Sequence, residues 1–392
     1  MKQLISLFLI IALPGCNEKI DLQPQEEFVK IYDDDRFNEQ YDPLDIVETS
    51  KGFIILSSYR RDDSNFRGLN IIEVNELGDY ESGSKFQNDF VSPVKSLMEK
   101  GGKYYFFCMD QFSLGVRLIE LDDAGEVLNA FTVNATFPLA AASDGNNFIL
   151  QSYDHLSKKT VLSIVDPTGG IVNSAQFDIG SGEGVEEPII DHFNQTGRVL
   201  PFIAGKASNG LYFFNGFYNF TLSLVFSDLA DDTPNGVCQG QQSEGGISSV
   251  TATGNDLFAI SRFNFGDNYI NPNVSISTSS ITSSLDLGGN PFPELTSDSR
   301  VEVKEIQING NPTLIYAATT NSSQIVLMGY NKNNFSLNAI DYLGFANPYS
   351  LAGFTSTRDG GLAVVGMTRV AGRFPRICFF KLSSNRVTSL GN

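Results

Sequence analysis

The chain has 392 residues, 41% of them hydrophobic, with 27 basic and 45 acidic side chains and a formal net charge of −18. Such an acidic surface repels phosphate backbones and anionic lipid headgroups, which argues against nucleic-acid binding and against electrostatic docking on a membrane. The length suffices for one large β-domain or for two average domains.

The first fifteen residues have the pattern of a secretory signal peptide. Lys2 precedes an apolar run over residues 4–13, which is about half the length that a transmembrane helix needs. The stretch Leu13-Pro14-Gly15-Cys16 resembles the lipobox of bacterial lipoproteins, although Pro14 stands where a small residue is usual. The resemblance implies cleavage before Cys16 and attachment of diacylglycerol and an N-acyl chain to that cysteine, and several acyl chains anchor a protein stably. The alternative is an ordinary signal peptide followed by a chance cysteine.

Three segments are predicted along the chain: a signal peptide over 1–15, a lipid-anchored flexible tether over 16–26 and a β-propeller domain over 27–392. The acidic residues Glu18 and Asp21 follow Cys16 closely. They resemble the surface-export signals of lipoproteins from Bacteroidetes. The expected location is therefore the outer membrane, facing either the periplasm or the cell exterior.

A repeat of about fifty residues organises the rest of the chain. Glycines that follow one strand-like run and precede a second, more apolar run recur at intervals of 43 to 65 residues. A third run follows in most repeats, and turn sequences such as Asp123-Ala124-Gly125 then lead into a fourth. No segment shows sustained helical periodicity with caps at both ends. The seven glycines are Gly52, Gly102, Gly145, Gly210, Gly254, Gly310 and Gly360.

Four strands joined by short turns make one blade of a β-propeller, and blades stack because none can cover both of its faces alone. The motif Asp359-Gly360-Gly361, followed by an apolar run, resembles the repeats of bacterial propeller lipoproteins. The predicted fold is therefore all-β: a single β-propeller with seven four-stranded blades. Two β-sandwiches are the alternative, and six or eight blades also stay open because the 65-residue interval could hide a hairpin. Residues 28–32 and 386–390 compete for the outer strand of the last blade.

Chemistry-bearing residues are few. Cys108 and Cys378 lie in apolar runs and are expected to be buried, whereas Cys238 is expected in a loop. Of the two histidines, His192 beside Asp191 is the better candidate for chemistry, although a structural role is expected for both.

No nucleophile elbow or phosphate-binding loop occurs, and the absence of tryptophan disfavours sialidase and quinone-dependent propellers. We therefore expect no catalytic residue, no metal and no cofactor, and acidic clusters such as Asp62-Asp63 are expected to be solvated turns rather than calcium sites.

Long polar excursions over residues 180–187, 228–246 and 264–299 are the expected contact loops. In the last of them, Asn268, Tyr269, Asn271 and Phe292 are the predicted partner-binding residues. The predicted function is a non-catalytic interaction subunit of an outer-membrane protein complex for secretion or nutrient uptake.

Glycan binding beside a polysaccharide uptake system is the alternative function. It would use Tyr59, Tyr269 or Tyr349 as exposed stacking platforms in place of tryptophan. A glycoside hydrolase is a weaker third option, because the separation of paired carboxylates is set by the fold and not by the sequence.

Overall fold

A computed structural model describes residues 26–33, 40–182, 184–194, 199–241, 245–297, 299–370 and 375–392. The predicted signal peptide, Cys16 and the tether up to residue 25 lie outside the described residues. None of the helices in the described ranges has the length and apolar character needed to cross a membrane.

The described chain is all-β and consists of successive antiparallel meanders of four strands, with two short helices. The first ten strands are β1 (Phe28–Ile31), β2 (Tyr41–Thr49), β3 (Gly52–Tyr59), β4 (Gly68–Asn75), β5 (Tyr80–Val91), β6 (Met98–Lys100), β7 (Lys103–Asp110), β8 (Gly115–Leu121), β9 (Val127–Thr136) and β10 (Pro138–Asp144). The middle of the chain contains β11 (Asn147–Asp154), β12 (Lys159–Val165), β13 (Ile171–Asp178), helix α1 (Glu187–Asn194), β14 (Ile203–Lys206), β15 (Tyr212–Tyr218), β16 (Thr221–Ser227), β17 (Gly236–Gln239), β18 (Gly245–Gly254) and β19 (Leu257–Asn264). The last part contains β20 (Asp267–Ser275), β21 (Ile281–Ser283), a 3-10 helix (Ser284–Leu287), β22 (Asn290–Pro291), β23 (Glu302–Ile308), β24 (Asn311–Thr319), β25 (Ile325–Asn331), β26 (Leu337–Leu343), β27 (Tyr349–Ser356), β28 (Leu362–Arg369), β29 (Pro375–Leu382) and helix α2 (Ser384–Gly391).

Strand order groups these elements into meanders that follow the sequence repeat. Strands β10–β13 and β23–β26 form four-stranded sheets in chain order, and β18, β19, β20 and β22 form another. Strands β14–β17 form a sheet that β21 extends by parallel pairing with β17. Strands β2–β5 and β6–β9 are two meanders in one eight-stranded sheet, because the end of β5 pairs with β7. Stacked four-stranded meanders of this kind are the strand plan of a β-propeller.

The second strand of each repeat is largely buried, as predicted. Every residue of β3 is buried, and Phe106 in β7 and Val364 in β28 are fully inaccessible to solvent. Both faces of such a strand are covered by neighbouring meanders, so its sequence is a continuous apolar run instead of an alternating one. The turn glycines fit the same plan, because Gly210 and Gly360 have φ angles of +92° and +82°, which residues with a side chain rarely adopt.

Hydrophobic clusters lie between successive meanders, and one of them joins the last meander to the first. In that cluster, Phe53 and Ile55 of β3 pack with Val365 of β28 and Phe379 of β29. The N-terminal strand β1 pairs antiparallel with β29, with Phe28 opposite Lys381. Residues 386–390, the other candidate for this position, belong to α2, which packs on β23–β26.

Several local predictions were wrong. Much of the expected contact loop over residues 264–299 is structured, because β20 lies in register against β19 and β21 crosses to β17. The third strand of this repeat is β20. Cys238 lies in β17 and is buried, not in a loop, whereas Cys108 and Cys378 are buried in strands as expected. Two short helices, α1 and α2, occur where none was predicted.

Candidate functional site

A cavity of about 470 Å³ lies where the first strands of the meanders converge. Its volume is within the range of small-molecule sites. We call it the central cavity. Residues of β2, β10, β14, β18 and β23 line it, and α1 contributes His192 and Phe193 at one end.

Four charged side chains form an ion-pair network on the wall of the central cavity. The Glu302 carboxylate lies 2.9 Å from Lys95 Nζ through one oxygen and 2.9 Å from Lys304 Nζ through the other. Lys304 is also 3.9 Å from Asp45 Oδ1 and donates a 2.6 Å hydrogen bond to the Phe354 carbonyl oxygen. The backbone N–H of Leu97 donates to Asp45 Oδ2 at 2.9 Å. Two carboxylates and two ammonium groups therefore balance each other within the cavity wall.

Burial and ion pairing shift the pKa values of this network in opposite directions. Burial raises the pKa of Asp45, and the positive charge of Lys304 offsets only part of this increase. Burial also pushes the pKa of Glu302 upward, but the charges of Lys304 and Lys95 outweigh it, so that the net direction is down. The pKa of Lys304 is raised, because attraction to Glu302 and Asp45 exceeds the effect of its burial. Glu302 is thus held as an anion between two cations.

His192 points its ring into apolar surroundings next to the cavity. The ring lies edge-on to Phe202, with centroids 4.8 Å apart, and the Nδ1 atom is buried without a hydrogen-bond partner among the described residues. Burial, with a smaller contribution from Arg300, lowers the pKa of His192 to about 3. The imidazole is therefore neutral at pH 7, and Asp191, its neighbour in sequence, is not among the groups that shift its pKa.

The second histidine belongs to a polar cluster at the same end of the molecule. Tyr153 donates a 2.7 Å hydrogen bond to Glu186 Oε2, and His155 Nδ1 lies 3.0 Å from the same oxygen. Lys158 Nζ lies 3.5 Å from the other oxygen. The hydrogen bond from Tyr153 is the largest cause of a lowered pKa at Glu186. This cluster ties the segment before α1 to the turn between β11 and β12.

The predicted partner-binding residues lie close together, but their side chains make contacts within the chain. Asn268 donates to the Thr296 carbonyl oxygen at 2.8 Å, and Asn271 donates to that of Leu287 at 2.9 Å. Phe292 packs on the hydrophobic cluster between β18–β22 and β23–β26. Tyr269 is partly exposed, and the Arg262 guanidinium lies 4.0 Å from its ring centroid. A role for these four residues in partner binding stays a prediction.

Two of the three tyrosines suggested as glycan platforms are not available. Tyr59 and Tyr349 are buried, and each packs against another aromatic ring or the adjoining hydrophobic cluster. Only Tyr269 keeps part of its surface exposed. In the acidic pair at residues 62–63, Asp63 forms an ion pair with Arg61 at 2.8 Å.

Sequence reasoning missed a set of exposed apolar side chains in the turns between second and third strands. They occur at this position in four consecutive meanders, from β7–β8 to β19–β20. A search for bulky apolar residues inside predicted turns would have found them. We call this set the apolar ridge, and its members are Phe112, Leu156, Phe220 and Phe265.

Comparison with known proteins gives structural similarity only. No family model matches the chain, and no curated protein does. Among solved structures, the chain is similar to a protein of unknown function from Bacteroides caccae, at 10% identity over 83% of this chain and 82% of that chain, with a TM-score of 0.34. It is also similar to the β-propeller domain of the Trilobed protease from Pyrococcus furiosus, at 10% identity over 88% and 94% of the two chains, with a TM-score of 0.49. A third similarity is to Trypanosoma rangeli sialidase, at 10% identity over 94% and 59%, with a TM-score of 0.45. These values carry no argument about activity.

Proposed function

We propose that this chain is a lipid-anchored, non-catalytic binding subunit of an outer-membrane protein complex. In this proposal Cys16 carries the lipid, residues 16–26 are the tether and the β-domain holds the contact surfaces. The domain is a ring of seven blades, closed where β1 completes the sheet of β27–β29. The N-terminal resemblance to bacterial lipoproteins supports the location, and the strand order supports the ring.

Contacts between the first and last meanders support the closed ring. Strand β2 packs against β27, and Phe53 of β3 lies edge-on to Phe379 of β29 with ring centroids 4.9 Å apart. Closure of this kind covers the apolar faces of the first and last meanders, which would otherwise be exposed to solvent. The result is a rigid body suited to presenting turns to a partner.

The observation that carries the non-catalytic proposal is the balanced network in the central cavity. Glu302 is held between Lys95 and Lys304, and Asp45 accepts hydrogen bonds from the backbone. Every oxygen of the two carboxylates already contacts an ammonium group or a backbone N–H, which favours a structural role for the network.

Glycan capture is the second candidate, and one observation favours it. Phe112 and Phe265 expose 78% and 70% of their surface, and an exposed aromatic ring can stack on the apolar face of a sugar. The same rings would serve a protein contact equally well, so only an experiment separates the two functions.

The test is purification of the native lipidated protein in mild detergent, followed by identification of co-purifying proteins and by an oligosaccharide array with the pure protein. The proposal expects a stoichiometric outer-membrane protein and no oligosaccharide signal. Tight binding or hydrolysis of an oligosaccharide, with no associated protein, would replace it with the glycan function. A Glu302→Gln variant that melts at a lower temperature but keeps its partner would support a structural role for the cavity network.

A further inference from the structure

The apolar ridge is a row of side chains that the fold leaves in water. Phe112, Leu156, Phe220 and Phe265 are 78%, 94%, 46% and 70% exposed. Single exposed apolar residues are ordinary, whereas a contiguous set indicates an interaction surface. Here the four residues occupy equivalent turns of consecutive meanders, so they recur on one face of the domain and are not scattered over it.

Two of the turns are built in the same way around an aspartate. Asp110 Oδ1 accepts hydrogen bonds from the N–H of Phe112 at 3.1 Å and from the N–H and hydroxyl of Ser113 at 3.0 Å. Asp154 accepts equivalent bonds from the N–H of Leu156 at 3.0 Å and from the hydroxyl of Ser157 at 2.7 Å. The apolar residue at each tip is thus held in place before any partner arrives, which lowers the entropy cost of binding.

The other two turns present phenylalanine at a backbone conformation that bulky residues avoid. Phe220 has a φ of +74° and Phe265 a φ of +46°, in two-residue hairpin turns where glycine or asparagine is the usual choice. Strained residues of this kind are concentrated at functional sites. At these two residues an exposed side chain and an unfavourable backbone conformation coincide.

The ridge lies on the face opposite to the point where the chain enters the domain. Consecutive turns of a meander alternate between its two ends, and ridge residues occupy turns between second and third strands. Phe28, at the start of β1, instead lies near Gly78 in the turn between the third and fourth strands, and Lys30 forms a 2.7 Å ion pair with Asp79 there. A tether before residue 27 therefore leaves from the face opposite to the ridge.

Carboxylates border the ridge. Asp154 and Asp267 lie two residues from Leu156 and Phe265. The cations near the same turns are paired with carboxylates, since Lys158 Nζ lies 3.5 Å from Glu186 and Arg117 lies 3.1 Å from Asp110. Asp178 accepts the N–H of Gly180, whose Cα adjoins the Phe220 ring. Such a border repels anionic lipid headgroups and also a second copy of the same acidic surface, but it complements basic side chains.

From these observations we infer that the apolar ridge docks a partner protein whose apolar surface is bordered by lysine and arginine side chains. The inference rests on the proposed function, because it names the surface through which the lipid-anchored subunit would hold its complex. The tether leaves from one face, and the partner docks on the other.

Site-specific photocrosslinking in the native membrane tests this surface. In the full-length chain, benzoylphenylalanine replaces Phe112 or Phe265 on the ridge. It replaces Leu128 in β9 or Val172 in β13 as controls, which are 46% and 61% exposed in the meanders of Phe112 and Leu156 but lie outside the ridge turns. The expected result is one and the same protein crosslinked from both ridge positions, through a peptide that contains apolar and basic residues, with little product from the controls.

A second measurement uses substitutions that leave the fold intact. The combined variant Phe112→Ser, Leu156→Ser and Phe265→Asn should lose the partner by about tenfold or more, as when the central apolar contacts of an interface are removed. Its melting temperature should equal or exceed that of the wild type, and Leu128→Ser with Val172→Ser should keep the partner. Unchanged partner binding in the ridge variant overturns the inference.

The remaining outcomes separate the inference from the proposed function. Ridge crosslinks to lipid, or cosedimentation of a Cys16→Ala chain with vesicles of phosphatidylethanolamine and phosphatidylglycerol, would make the ridge a membrane contact and overturn the inference. Crosslinks to a second copy of the chain would overturn it as well. Crosslinks to a protein from Leu128 or Val172 alone would overturn the inference that the ridge is the docking surface but preserve the proposed function. No protein crosslink from any position would overturn both.

Discussion

The Phe28 ring packs edge-on against Phe379, with centroids 5.2 Å apart and ring planes at 88°. This contact joins the N-terminal strand to the last strand of the chain. Phe28 is 9% exposed, so Phe28→Ala should lower the free energy of unfolding by about 3 kcal/mol through the lost burial and the cavity left behind. Denaturant unfolding followed by fluorescence measures the change. Val29→Ala is the control, because Val29 is 50% exposed in the same strand; equal effects of the two changes would contradict a closing role for β1.

Burial of the second strands predicts the outcome of introducing a charge there. Phe106 is fully buried in β7, and an unpaired carboxylate at that position has no partner to compensate its lost hydration. Phe106→Asp should therefore give insoluble or unfolded protein, as should Val364→Asp. Leu156→Asp, at a position that is 94% exposed, should fold normally. A soluble Phe106→Asp protein with a cooperative melting transition would rule out the assigned burial.

The repeat could be read from the sequence because its physical causes are local. A second strand with both faces covered must be apolar throughout, as in β3, and a tight turn before it needs a positive φ, as at Gly360. These two requirements leave a pattern that recurs along the chain. In β20 the pattern fails, because Asn268 and Asn271 interrupt it and bond to backbone carbonyls of the same excursion. That strand was therefore mistaken for part of a loop.

The features that sequence reasoning could not reach depend on contacts between distant repeats. Residues 386–390 contain valine and threonine and suit a strand, yet the Ser383 hydroxyl accepts the N–H of Arg386 and begins α2. Val387 and Leu390 pack against a hydrophobic cluster formed by residues of β23–β29, and this packing stabilises the helix over a strand. Likewise Asp45 and Glu302 lie far apart in the chain, and only the fold brings both to Lys304.

The half-buried imidazole of His192 predicts an acid-sensitive contribution to stability. Its pKa is lowered from 6.5 to about 3, so below pH 6.5 the unfolded chain binds a proton that the folded chain does not bind. The contribution of His192 to the free energy of unfolding is therefore complete above pH 6.5, and it is lost as the pH falls toward about 3. The loss is about 1.4 kcal/mol per pH unit, or roughly 2 kcal/mol between pH 6.5 and about pH 5.

Unfolding curves at several pH values measure this loss. The chain contains two histidines, so His155→Gln leaves His192 as the only one, and the pH dependence is compared in that background with and without His192→Phe. Phenylalanine suits the surroundings of Phe193 and Phe202. The protein that carries His192→Phe should lose less free energy of unfolding between pH 6.5 and about pH 5, by roughly 2 kcal/mol. Identical slopes in the two proteins would show that His192 does not stay neutral in the folded state.

The strained turn at Phe265 predicts a substitution that stabilises the fold. Asparagine adopts a φ of +46° more readily than phenylalanine does, and a ring that is 70% exposed contributes little burial. Phe265→Asn should therefore raise the free energy of unfolding by about 1 kcal/mol. Phe112→Asn is the matched control, because Phe112 is equally exposed but is not among the residues with positive φ. A gain in both variants would point to the removal of exposed apolar surface and not to relief of backbone strain.

The anchor prediction concerns Cys16. The lipid of a bacterial lipoprotein is attached through the thiol of the cysteine that follows the cleavage site, so Cys16→Ala leaves no atom to accept it. Cells labelled with a fatty-acid probe should show label on the wild-type chain and none on Cys16→Ala, and the variant should leave the membrane fraction or stay unprocessed. Cys238→Ala is the control, because Cys238 is buried in β17 and should not affect labelling. Equal label on Cys16→Ala and on the wild type would show that the membrane anchor, if there is one, lies elsewhere in the chain.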